Sequence, residues 1–218
     1  FQRTADYSGG LGKLPQLAFR RWVSEGEAAY TAPPAGSVVI FRGMAGKFQP
    51  FLQDHDVVKD ALLDMTRPQH LAGYQYPLTP PVGIHVRLGD FVRRPDLQST
   101  RKLDNSALPI DWYMAALRAI RKKLGYPARA RVFSDGTDED LRPLLELPGV
   151  ARISFGSSIA DMLALSRSNI LIASGSTFSM WASYLGQAPT LWHPGKLHQS
   201  VHLGPEKLEV EWAEGDPL

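Results

Sequence analysis

The chain has 218 residues, 44% hydrophobic and 21% charged, which suffices for one good core but is a tight fit for two complete nucleotide-binding domains. Its 24 basic and 22 acidic residues leave a net charge of +2, too little to call for nucleic acid. The absence of cysteine excludes disulfides and thiolate metal sites, and no apolar run approaches the roughly 20 residues of a membrane helix, so no integral membrane segment is expected in this chain.

The chain opens on a glycine-rich turn, Ser8 to Lys13, and Leu14 to Val23 reads as a helix after Pro15. Residues 32–36 form a breaker before Ser37 to Phe41, a strand. Asp54 to Met65 has Val57, Val58, Ala61, Leu62 and Met65 at helical spacing, with acidic residues at its start, and reads as scaffold. Tyr74 to Pro81 is a linker or loop. Val82 to Val86 is then a strand: alternation sets Val82, Ile84 and Val86 on one face, and Gly83, His85 and Arg87 on the other. Gly89 turns the backbone and Asp90 brings a carboxylate beside Arg87, at the strand end where open α/β sheets bind ligands. A local Arg87–Asp90 ion pair is the plainer reading of the same residues.

Residues 93–108 are polar and basic, a lid over a phosphate-bearing ligand or a solvated loop. Asp111 to Leu124 is an amphipathic helix with Met114, Leu117, Ile120 and Leu124 inward and a solvated basic run at its end. A strand over Ala130 to Phe133 runs into Ser134, Asp135 and Gly136, and Thr137 with Asp140 has the spacing of a capping box, as do Ser158 and Asp161. Ile170 to Ala173 is a buried strand. It leads through Ser174 to Thr177 into a helix from Phe178, whose first turn suits an anion such as a pyrophosphate. Trp181 and Tyr184 read as packing. Pro189 to His193 is the last full strand, Glu206 to Trp212 a short strand or tail, and the spacing of His193, His198 and His202 fits no metal motif.

His85-x-Arg87-x-Gly89-Asp90 with Phe91-Val92 resembles the HxRxGD-[YF]-V motif of the α-1,2-fucosyltransferases, looser forms of which occur in α-1,6- and protein O-fucosyltransferases. Many members carry a second arginine where this chain has Leu88. Val132 to Asp135 resembles the family's F-S-D-D segment, with Gly136 for the second acid. Asp161 to Tyr184 is similar to its D-L-x-L-M-S…N-x-I-x-[AG]-N-S-[ST]-F-S-W-W segment, with Gly175 for the Asn and Met180 for one Trp. Ser8 to Lys13 is similar to its GGLGN loop, with Lys13 and Leu14 for the polar pair.

Strand–helix alternation favours an α/β, doubly wound and mostly parallel sheet. The resemblance implies a GT-B-like nucleotide-sugar-binding domain with a reduced amino-terminal part: residues 1–81 on the acceptor side, and residues 82–218 a Rossmann-like domain for GDP-fucose. It implies an inverting, metal-independent transfer of fucose to a glycan hydroxyl, of a galactoside in α-1,2 linkage, with no cofactor. Arg87 would be the principal catalytic residue, and Asp90 would orient it or serve as general base. His85, Gly89, Ser134, Asp135, Ser176, Thr177 and Phe178 would bind the donor. The expected partners are a nucleotide-sugar donor and a glycan acceptor. The expected location is the cytoplasm, membrane association being an alternative, or the Golgi lumen if an anchor has been removed. A transferase with another nucleotide sugar, or a non-catalytic binding module, is the alternative function.

Overall fold

The structure, a computed structural model, describes residues 48, 51–76, 82–89, 107–197, 199–204 and 208–218, with the backbone of Trp22–Ser24 and Val38–Ile40. Two compact units are present, residues 1–47 and 48–218. In the first, β1 (Trp22–Ser24) pairs in parallel with β2 (Val38–Ile40). The second strand falls where the sequence predicts one. The first, however, takes the end of the segment read as a helix, where Trp22 and Val23 favour extended backbone.

The second unit is built on a six-stranded parallel sheet of β3 (Val82–Val86), β4 (Ala130–Ser134), β5 (Val150–Arg152), β6 (Ile170–Ile172), β7 (Thr190–Trp192) and β8 (Glu209–Glu211). Its order is β5-β4-β3-β6-β7-β8. The chain winds outward from β3 to β5, returns to the other side of β3 and winds outward again. This is the doubly wound arrangement expected, and its direction reverses between β3 and β6, where such sheets open a crevice at their carboxyl ends.

The helices are α1 (His55–Met65), α2 (Ala72–Gln75), α3 (Ile110–Leu124), α4 (Asp138–Leu145), α5 (Ser158–Leu165) and α6 (Thr177–Gly186). Val82, Ile84, Val86 and Leu88 join one core cluster with Leu117 and Ile120 of α3 and Leu141 and Leu144 of α4. Phe133, Leu171 and Ala173 join another with Leu163 and Leu165 of α5 and Met180 and Tyr184 of α6. Helices therefore cover both faces, and every residue of β3 is buried, including those on the polar side. A Cβ on Gly83 would meet the Ser168 hydroxyl and fall 2.9 Å from Leu165 Cδ1, so only glycine lets the chain after α5 lie this close to the strand.

Several local readings change. On α1, Val57 and Met65 are exposed, while Val58, Leu62 and Leu63 pack against the core. Arg121 is no solvated charge: its Nε donates to the Ala128 carbonyl at 2.9 Å and Nη2 to Pro148 at 2.7 Å, tying down the loops beyond α3. Thr137 and Asp140 form the predicted capping box of α4. On α5 the cap is Ser157, not Ser158, and Asp161 instead accepts from the Ser154 hydroxyl and the Phe155 N–H. Among the described residues no helix is long and apolar enough to cross a membrane.

Candidate active site

The carboxyl ends of β3, β4 and β6 bring together the residues that the sequence singles out. Arg87 leaves β3 and forms an ion pair with Asp135, just beyond β4, with Nη1 2.8 Å from Oδ2. The partner anticipated from sequence was Asp90, which lies outside the described residues. Asp135 is held in turn, its Oδ1 accepting from the Leu88 N–H at 2.8 Å. Partial burial alone would raise the Asp135 carboxyl. The N–H groups of Leu88 and Gly89 and the charge of Arg87 outweigh that and hold it below the usual carboxylate range. At neutral pH the pair is therefore a carboxylate against a guanidinium. Gly89 makes the approach possible, because a Cβ there would sit 2.6 Å from Asp135 Oδ2.

Leu88 is 8% exposed and continues the core face of β3, its Cδ1 against Gly136. A second arginine at this position would enter the core rather than the crevice. Ser134 accepts from the Gly136 N–H at 3.0 Å, which shapes the turn after β4.

His85 is almost wholly buried, and its hydrogen bonds all run through Nδ1, to Ser179 Oγ at 2.8 Å, Ser174 Oγ at 2.9 Å and Ser176 Oγ at 3.4 Å. Ser179 Oγ already accepts from the Ser174 N–H, so its proton is directed at the imidazole. That network assigns Nδ1 as acceptor and leaves the ring proton on Nε2. Burial, aided by Arg87 and opposed by Asp135, pushes the histidine down to about 3. The ring is a neutral donor, too weak a base to take a proton from a sugar hydroxyl near neutral pH.

Ser176 also caps α6, accepting from the Ser179 N–H, while Thr177 is exposed on the first turn. Phe178 stacks on the His85 ring, centroids 4.4 Å apart and planes 26° from parallel. Tyr184 is fully buried, and Trp181 packs edge-on against Phe48 and Tyr184, so both are core residues as expected. Sequence reasoning gave no role to Ser174 and Ser179. Their signal was the spacing Ser174-x-Ser176-x-x-Ser179 across a strand end and a helix start, which places three hydroxyls around one buried ring.

His193 and His202 serve separate networks, the first bonded to the Pro194 carbonyl and the second to the Ser183 hydroxyl, while His198 lies outside the described residues. Two Asp-x-Asp triplets occur, Asp54-His55-Asp56 and Asp138-Glu139-Asp140, both at helix starts. In them Asp56 pairs with His55, Asp138 with Arg152, and Asp140 with Thr137. Among the described residues no three His, Cys, Asp or Glu side chains are grouped so as to hold a metal ion.

No curated protein matches the sequence. Among solved structures, the fucosyltransferase NodZ from Bradyrhizobium is 18% identical, with a TM-score of 0.36, over 87% of this chain and 61% of that one. The glycosyl transferase family 9 protein from Veillonella parvula is 18% identical at a TM-score of 0.36, over 66% of this chain and 38% of its own. POFUT1 in complex with GDP-fucose is 16% identical at 0.37, over 73% and 47%. The chain thus spans three-fifths or less of the length of these structures. The model of glycosyl transferase family 11 matches residues 32–192, most of the chain, and the protein belongs to that family.

Proposed function

We propose that this protein transfers fucose from GDP-fucose to a hydroxyl of a glycan acceptor, a galactoside in α-1,2 linkage, with inversion at the sugar carbon and without a metal ion. The observation that carries this reading is the Arg87–Asp135 pair, fixed at the point where the sheet reverses, in a chain of glycosyl transferase family 11. As the bond between fucose and the β-phosphate breaks, negative charge grows on the leaving oxygen. A guanidinium locked by a carboxylate needs no reorganisation to receive it.

His85 donates from Nε2 to the nucleotide, and Phe178 holds the ring in place. Thr177, the α6 N–H groups and the Ser176 loop line the pyrophosphate, with Ser134 and Asp135 on the nucleoside side. The acceptor hydroxyl attacks the sugar from the side opposite the diphosphate and gives its proton to a base, for which Asp90 is the candidate; Gly89 positions the turn that carries it. Residues 82–218 are the donor-binding part in this reading and residues 1–81 the acceptor side.

A thermal-shift panel of GDP, UDP, ADP and their sugars, with and without EDTA, tests it. GDP at about 100 times its dissociation constant should stabilise the fold by roughly 2.7 kcal/mol, with EDTA present or absent. A preference for UDP, or a GDP shift abolished by EDTA, would refute the donor assignment or the metal independence respectively.

A further inference from the structure

Lys196 sits in the turn after β7, its N–H donating to the His193 carbonyl at 3.0 Å. For a lysine it is exceptionally buried, 7% exposed. Its stem lies along the Ser174–Ser176 loop: a Cβ on Gly175 would fall 2.7 Å from Lys196 Cδ and 3.2 Å from Cγ. The ammonium is two bonds beyond that Cδ, and its charge is felt at His193, the next turn residue inward, where it lowers the imidazole. Burial of a cationic stem along a glycine that follows β6 places one positive charge on the β6–β7 side of the crevice, opposite Arg87 on the β3–β4 side.

The charge balance calls for it. Asp135 carries a full negative charge 2.8 Å from Arg87, so that pair is close to neutral as seen by a ligand. His85 is neutral and the serines carry no charge, while Leu88 turns into the core. We infer that Lys196 is a second donor-binding residue, which contacts the diphosphate from the β7 side and supplies the cation that position 88 does not. This inference rests on the proposed nucleotide-diphosphate site and adds to it a residue that belongs to none of the motifs described above.

Calorimetry with GDP and guanosine separates the two readings. In Lys196→Met, which keeps the stem and removes the charge, GDP should bind at least about tenfold more weakly, the loss of one charge-assisted contact, and guanosine within about twofold of wild type. Lys196→Arg should keep most of the preference for GDP over guanosine. Should the Met variant fail to fold, the wild type carries the test: GDP, and not guanosine, should slow modification of Lys196 by an amine-reactive reagent. Unchanged GDP affinity in Lys196→Met, or equal protection by GDP and guanosine, overturns the inference while leaving the nucleotide site intact. Absence of GDP binding in the wild type overturns the site itself.

Discussion

Arg87 shows how one residue can be both structural and chemical. Its side chain is about one-third exposed, so the pair with Asp135 is screened by water and adds little to stability, while its geometry is fixed by two backbone donors on the same carboxylate. Arg87→Lys keeps the charge but loses the planar fork, and turnover should fall on the order of 10² to 10³ with little change in melting temperature. Turnover that holds per folded molecule while the melting temperature drops would make the pair purely structural. Leu88→Arg should instead destabilise the fold, since Leu88 packs on Gly136 inside the core, and no gain in activity is expected. Tyr113 presents the reverse case. Its hydroxyl is buried without a partner, and burial, with the charge of Asp135 adding, raises the phenol well above its usual range. Tyr113→Phe removes an unsatisfied donor and should leave stability unchanged or raise it by about 1 kcal/mol in a denaturant melt. A clear loss would reveal a partner for the hydroxyl in solution.

At the scale of elements, the start of α6 separates two hydroxyls that look equivalent in sequence. Ser176 is buried, caps the helix and faces His85, whereas Thr177 is exposed. Ser176→Ala should cost about 1 kcal/mol of stability, and Thr177→Ala almost none. If Thr177→Ala nonetheless weakens GDP binding, that hydroxyl faces the ligand; equal stability costs for the two would contradict the cap. The strands that carry site residues were legible in sequence because alternation and a polar strand end coincide at Val82 to Arg87, and an apolar run meets small hydroxyl residues at Ile170 to Thr177. β5 was not: three residues at a sheet edge, in Val150–Arg152, give no period to count. The α5 cap was misplaced by one because Ser157 and Ser158 are adjacent hydroxyls, and only the backbone turn decides between them. The partner of Arg87 was hidden for a different reason. Sequence proximity pointed to Asp90, but β3 and β4 lie side by side, and the β3–β4 register sets Val86 opposite Ser134, which brings Asp135 next to Arg87.

For the whole molecule, buried neutral histidines couple folding to pH. His85 drops to about 3 in the fold, against about 6.5 in an unfolded chain. His193 and His202 are lowered too, by burial first, with neighbouring carboxylates opposing the shift. The sign follows from proton counting: below about pH 6.5 the unfolded state binds protons that the folded state refuses, so acid favours unfolding. Stability should therefore be fully present above the unfolded value and fall as the pH drops through the window from about 6.5 to 3, by roughly 1.4 kcal/mol per pH unit for His85 alone. Asp135 acts lower: its depressed carboxyl contributes stability above the ordinary carboxylate range and loses it only as the pH falls through its folded value. Urea melts at pH 7, 6, 5 and 4.5 lie above that second region and isolate the histidines. His85→Gln keeps a side chain able to accept from Ser179, and should remove about one proton from the slope. A flat profile in the wild type over this range would mean that His85 protonates inside the fold, and the assignment of its neutral form, with the donor role of Nε2, would fall with it.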